Sequence, residues 1–370
     1  MLTKILPSKG MFVVLRFRDW RAFAARLVLV VVGAVMFGAF AVPSAAHAQA
    51  AEPAPVGAAN EPRRDRDLAL YDAIVERVAG GESYYTAAFA EQRARSFPVR
   101  PGFALRLPTL ATIQAALGPV GTTVAAFALL LAIGLAWWRR FGDEGASASQ
   151  RRFATALVLM GSSFLFNASY HPLHELWAGG LIALALGLHR PGKWTAALAV
   201  AALALAIREL VLPFVLLMGA LAAWRRDWRE TSAWCALVVG FAVLLGWHFA
   251  IVAQYQRAGD FAGPSWLVLR GLEGWIGNIT QSSQLHLLPE PIAMLVPVLA
   301  LLGWASRRTA SGITATLLLL GYGLAFMIAG RENNFYWGLI VTPILFAGLT
   351  FVPAALRNLR QGAARGLRHA

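Results

Sequence analysis

The sequence predicts an all-α polytopic membrane protein. We expect about ten transmembrane helices, with a long first outer loop carrying two amphipathic surface helices. Three observations carry this. Only 14% of the 370 residues are charged while 58% are hydrophobic, and mean hydropathy is +0.57; a soluble domain has about 25% charged residues. Apolar runs approach the roughly 20 residues that a spanning helix needs. Short arginine clusters recur between the runs, as the positive-inside bias requires of cytoplasmic loops.

That placement also accounts for the net charge of +14, so no nucleic-acid partner is expected. The single cysteine, Cys235, excludes an intrachain disulfide and a cysteine metal cluster.

Taken in order, residues 1–43 combine a basic leader (Lys4, Lys9, Arg16, Arg18, Arg21, Arg26) with an apolar run, 27–42. Ala46-His47-Ala48 beyond it fits a signal-peptidase site, and an uncleaved first span fits as well. Both readings send the following residues across the membrane. Residues 44–116 form the first outer loop. Its Ala/Pro/Glu-rich part, 49–62, reads as a linker. Leu68, Tyr71, Val75 and Val78 then recur at helical spacing over 67–79, and Gly80-Gly81 ends that helix. A second short helix runs to about Arg95.

The bundle occupies 117–355. Its second span, 117–138, ends at Arg139-Arg140. Runs 153–168 and 176–188 lie between Arg151-Arg152 and His189-Arg190, so a hairpin keeps both basic clusters inside and makes Tyr170–Glu175 its outer tip. Run 194–224 holds Arg208-Glu209 midway. Residues 194–207 span roughly 21 Å as a helix, short of a bilayer, so a second hairpin lifts Arg208-Glu209 outward. Spans follow at 232–253, 291–306, 309–329 and 338–355, with an outer loop at 254–288 containing Asp260, Arg270, Glu273 and His286. Residues 356–370 are a basic cytoplasmic tail. Both termini are thus cytoplasmic, in a plasma (inner) membrane.

This topology gathers the polar islands on the outer side. His171, His174 and Glu175 share one face if helical. They suit a divalent metal, a phosphate, or a structural place at the water interface. Their order, His-x-x-His-Glu, is not a zinc-peptidase pattern. Asp67 reads equally as a helix N-cap or as a general base above the membrane. Arg208 and Glu209 suit a structural ion pair or, through the guanidinium, an anionic head group. Arg331, Glu332, Asn333 and Asn334 precede Tyr336-Trp337, an aromatic belt pair.

The layout resembles the GT-C superfamily of integral-membrane glycosyltransferases. The likeness rests on an acidic first outer loop, then Tyr71, Gly81-Glu82-Ser83-Tyr84-Tyr85 and Arg106-Leu107-Pro108-Thr109 leading into the second span. It continues with His174-Glu175 between spans and the short helices around Arg208-Glu209. It covers residues 65–355 loosely. In that family the acid usually follows the first span closely; here the linker intervenes.

The resemblance implies hexosyl or pentosyl transfer from a polyprenyl-phosphate sugar donor to a glycan, lipid or protein acceptor on the outer face. It implies Asp67 as catalytic base, with Asp65 and Asp72 as rivals. It further implies a donor-binding set drawn from Tyr84, Tyr85, Arg106, Arg208, Glu209, Arg331, Glu332 and Asn333. His171, His174 and Glu175 would assist directly or through Mg2+ or Mn2+, and no other cofactor is implied. Membrane lipid surrounds the bundle. The competing classes are a transporter or flippase of a lipid-linked or anionic substrate, which also uses broken helices and buried charge, and a non-catalytic assembly protein.

Overall fold

A computed structural model describes residues 22–40 and 66–365. The basic leader, the cleavage-site motif, the linker, Asp65 and the last residues of the tail lie outside the described residues. Every regular element among the described residues is helical, and the only β pairings there are isolated bridges, Arg100 with Ala262 and Arg190 with Lys193.

Helix α1 (Ala22–Phe40) precedes the two surface helices, α2 (Arg66–Ala79) and α3 (Tyr84–Ala94). Ser83 caps α3 by accepting from Thr86 N–H, which satisfies a donor that a helix start leaves free. Arg77 clamps α2 to α3 through Glu82 at 2.6 Å and Glu91 at 2.9 Å. Helix α4 (Thr109–Asp143) begins earlier than its apolar run and breaks at Gly118, whose φ of 66° precedes Pro119. Proline removes an N–H inside the helix and glycine alone takes that φ without strain, so the break falls there.

Both polar islands expected as hairpin tips fall at breaks between helices. Helix α5 (Ala148–Gly161) opens with a Ser147/Gln150 capping box. It leads through two 3₁₀ turns into α6 (His174–Leu188), which is buried on almost every face. Helices α7 (Thr195–Ile207) and α8 (Leu212–Trp224) meet at Arg208-Glu209. Helix α9 (Trp228–Tyr255), capped by Asp227, is exposed along much of its apolar surface. Helices α11 (Glu290–Ala305) and α12 (Ala310–Ile328) follow. Among the described residues, four helical stretches are long and apolar enough to cross a membrane: 102–143, 228–255, 310–328 and 342–364; the other apolar helices there are shorter.

Two stretches differ from expectation. The loop 254–288 contains a helix, α10 (Gly271–Gln281), which packs on 332–340 and α12. Residues 338–355 are not one helix. They run as 3₁₀ turns over 332–340, one α turn over 342–345 and 3₁₀ again over 346–351. Helix α13 (Val352–Arg365) follows and passes straight through the expected tail boundary. The cause is backbone contact: a Cβ on Gly348 would collide with the Ala300 carbonyl, and one on Gly303 with the Gly348 carbonyl. Close approach of small residues is how apolar helices gain packing without water to expel. Leu302, Ala25, Ala355 and Leu359 bury together, docking α13 on α1 and α11.

The bundle has two polar ends. At one, the arginine clusters converge. Arg140, fully buried, pairs with Glu144 at 3.0 Å and donates to the carbonyls of Leu186 and His189. Glu144 also receives Arg307 at 3.4 Å. Glu230 joins His189 and Arg225, both at 2.7 Å. Trp137 and Trp304 pack here, their indole N–H groups satisfied by the Ala183 and Ile344 carbonyls. The hairpin tips form the other end.

Candidate functional site

At the first tip Asn167 caps a 3₁₀ turn by accepting from Ser169 N–H at 3.0 Å. Gln114 Nε2 and Trp177 Nε1 both donate to the His171 carbonyl at 2.7 Å. A carbonyl can only accept, so His171 Nε2–H donates to Leu165 O at 3.0 Å. His171 is thereby committed to holding its own turn. His174, buried, meets Tyr71 edge-on at 5.1 Å, and neither of its ring nitrogens has a hydrogen-bond partner. Glu175 is completely buried.

The second tip supplies the counter-charge. Arg208 is extended (φ −148°, ψ 119°) between α7 and a 3₁₀ turn, so its side chain leaves the helix axis toward the first tip. Arg208 Nε donates to Glu175 Oε1 at 2.7 Å, and Nη1 pairs with Glu209 Oε1. Arg106 Nη2 stands 3.7 Å from the same Glu175 oxygen, and its Nε donates to Tyr71 OH at 3.1 Å. Tyr84 OH donates to the Arg106 carbonyl at 2.6 Å. Two guanidiniums thus face two carboxylates, and the group is neutral as a whole. Burial pushes the Tyr71 phenol up to about 12, against the opposing pull of Arg106, so Tyr71 serves Arg106 as a neutral acceptor. Burial likewise raises Tyr84.

Beside this group lies a cavity of about 540 Å³, lined by Asp67 and Leu68 of α2, Tyr170 and Leu173 of the first tip, Gln281 and His286 from the α10 side, and Tyr336, among others. The size is that of a small-ligand pocket. Asp67 and Tyr71 are four residues apart on one helix, so a single face of α2 presents the carboxylate to the cavity and the phenol to Arg106. Burial of α2 falls on Leu68, Leu70, Tyr71 and Ile74. His286 hydrogen-bonds through Nδ1 to the Ser283 carbonyl at 2.5 Å, which fixes that proton and leaves Nε2 as its second polar atom.

The structure therefore brings together Arg106, Glu175, Arg208, Glu209, Tyr71 and Tyr84, and sets Asp67 on the adjoining cavity. Asp72 is exposed. Tyr85 turns elsewhere, to His248 Nδ1 at 3.0 Å. Asn333 is exposed, whereas Asn334 is buried, bonding Arg331 N–H and Tyr336 OH. Glu332 is placed by its backbone, opening the 3₁₀ run 332–340. Arg331 contacts a different set, stacking over Trp266 at 5.2 Å. His171, His174 and Glu175 do not make a metal site. His171 is spent on Leu165 and Glu175 on Arg208, and among the described residues no group of three or more His, Cys, Asp or Glu could hold a metal ion. Gln281, His286 and Tyr336 were missed as cavity residues. Nothing in their spacing marks them: Gln281 ends a helix inside an apparent loop, His286 lies in a 3₁₀ turn beyond it, and Tyr336 read as an aromatic-belt residue.

No family model, curated protein or solved structure matches the chain.

Proposed function

We propose that this protein is a membrane glycosyltransferase of the GT-C kind, transferring a sugar from a polyprenyl-phosphate carrier at the outer face of the plasma membrane. In this reading the hairpin tips and the first loop face outward, the arginine end faces the cytoplasm, and the shorter helices complete a bundle of about ten spans. The observation that carries the proposal is Asp67 on the wall of a cavity of about 540 Å³ rich in aromatic and neutral polar groups. Such a lining suits a sugar, which offers hydroxyls to polar groups and C–H faces to rings.

Asp67 accepts the proton of the acceptor hydroxyl as that oxygen attacks the anomeric carbon. The bond from that carbon to the carrier phosphate oxygen breaks, its electron pair stays on the phosphate, and configuration inverts. No metal enters this scheme. The Arg106–Glu175–Arg208–Glu209 group acts as positioning machinery: it fixes Tyr71, and through α2 it fixes Asp67, against both tips. Clustering of these charges at one end supports a transferase over a transporter, which would place them to be reached from both sides in turn.

The test is transfer from labelled polyprenyl-phosphate sugars by protein reconstituted in liposomes. Asp67→Asn is expected to lower turnover by roughly a hundredfold to ten-thousandfold, measured on variant protein whose folding is checked by its unfolding midpoint. Turnover equal to wild type would reject Asp67 as base, and substrate movement without transfer would favour the transporter.

A further inference from the structure

A second polar group, made of residues that belong neither to the cavity lining nor to the paired charges, stands where α10 meets residues 330–337. Two backbone bonds lace the segments together, Arg270 N to Met327 O at 2.8 Å and Gly330 N to Trp266 O at 2.7 Å. The Arg270 side chain is only 6% exposed. Its Nη1 donates to Asn278 Oδ1 at 2.9 Å and to Arg331 O at 3.2 Å. Trp337 lies flat against Gly330, where a Cβ would come within 3.2 Å of the ring.

What the group lacks is acceptors. Arg270 Nε, Asn278 Nδ2, Arg331 Nε and Trp337 Nε1 are all buried without a hydrogen-bond partner. All are donors. The Asn278 assignment is forced, because arginine can only donate and so claims the amide oxygen. Arg270 reaches the Arg331 backbone carbonyl, the Arg331 guanidinium stacks over Trp266, and the one carboxylate that pairs with Arg270, Glu273, is 4.0 Å away. Buried N–H groups are nearly always satisfied, and a cluster of unsatisfied donors is a place where an acceptor belongs. Forked guanidiniums and N–H donors without competing acceptors are what a phosphate monoester or diester uses. The residues just before Arg270 add an apolar side: Leu267, Val268 and Leu269 are 78%, 41% and 83% exposed.

We infer that Arg270, Asn278, Arg331 and Trp337 form a phosphate site, with Leu267–Leu269 receiving the apolar chain of a lipid-borne phosphate. Its assignment to the sugar donor's phosphate rests on the transfer reading above; its existence as an anion site does not. The neutral pairing of Arg106 and Arg208 is consistent with the phosphate being held here rather than at the hairpin tips.

Binding of radiolabelled farnesyl phosphate to the full-length protein in detergent micelles tests this, with inorganic phosphate and farnesol as competitors. Arg331→Gln and Trp337→Phe are each expected to weaken binding roughly tenfold. Trp337→Phe also removes part of the ring that packs on Gly330 and is expected to lower the unfolding midpoint, so Arg331→Gln, on a part-exposed side chain, is the variant whose loss of binding at an unchanged midpoint reads the site. Wild-type affinity in both variants, or displacement by farnesol as effective as by farnesyl phosphate, overturns the site. Displacement by inorganic phosphate at concentrations equal to farnesyl phosphate assigns it to the free anion, and displacement only at far higher concentration assigns it to the lipid-borne form. Variants that lose binding in a protein with no detectable sugar transfer leave the site standing and reject the transferase reading.

Discussion

Glu175→Gln is the most informative single change at the hairpin tips. Glu175 is fully buried, bonded to Arg208 Nε at 2.7 Å and 3.7 Å from Arg106 Nη2. Glutamine keeps the shape and one acceptor oxygen but removes the charge. Arg106 then loses its carboxylate and Arg208 keeps only Glu209, leaving one net positive charge in a buried group. Breaking a buried pair by removing one partner costs about 3–5 kcal/mol, because the other charge stays desolvated. Removing both, as in Glu175→Gln with Arg208→Gln, should cost less than the two single changes combined. Their coupling should be roughly 1–3 kcal/mol, as expected for residues in one network. Equilibrium unfolding in mixed SDS and dodecylmaltoside micelles measures all four proteins of the cycle. A single change costing under about 1 kcal/mol, the value of an exposed pair, or additive single and double changes, would refute the view that this group ties the two hairpins together.

Other expectations follow from the same packing. Asp72→Asn, on the exposed face of α2, should retain transfer in the liposome assay where Asp67→Asn loses it; equal loss in both would remove the distinction between the two aspartates. Gly303→Ala drives a methyl into the Gly348 carbonyl and should destabilise by roughly 1–3 kcal/mol or more, whereas Gly240→Ala, with open space around it, should gain about 0.5–1 kcal/mol from helix propensity. Micellar unfolding reads both, and a neutral Gly303→Ala would contradict the backbone contact. Asp260 takes two hydrogen bonds from Arg93, which together with the Arg257 N–H hold its carboxyl down to about 2. Its pinning of loop 256–262 to α3 is therefore complete above about pH 4, the ordinary carboxylate value, and lost as pH falls through about 2. Hydrogen exchange of 256–262 should be protected above that window and released within it, and Asp260→Asn should release it at every pH.

Much of the helical plan was legible in the sequence. Charge parity marked Tyr170–Glu175 and Arg208-Glu209 as places where the chain breaks, and both fall at breaks between helices. The 2.7 Å bond between Arg208 and Glu175 brings the two stretches together. The surface helices α2 and α3 were legible from apolar spacing and the Gly80-Gly81 stop. Helix α10 was not, because its apolar and polar residues sit in a segment bounded by Pro264 and Pro289 that also reads as loop. Nor was the 3₁₀ course of 332–351, because an apolar run specifies burial and leaves helix type to the packing of glycine backbones on neighbouring carbonyls.

The candidate site divides along the same line. The sequence by itself determined which ionisable groups an oily chain carries, and that most of the tip charges would stand together, because desolvated charge persists only where it is paired or functional. Only the tertiary structure decided their partners. It spent His171 on a carbonyl and neutralised Arg208 with two carboxylates. It turned Asp67 toward a cavity, and it left Arg270, Asn278, Arg331 and Trp337 with donors and no acceptor. Those outcomes depend on where α10 packs against 330–337 and how the tips interlock. Such contacts join residues far apart in the chain, and no local pattern of residue types encodes them.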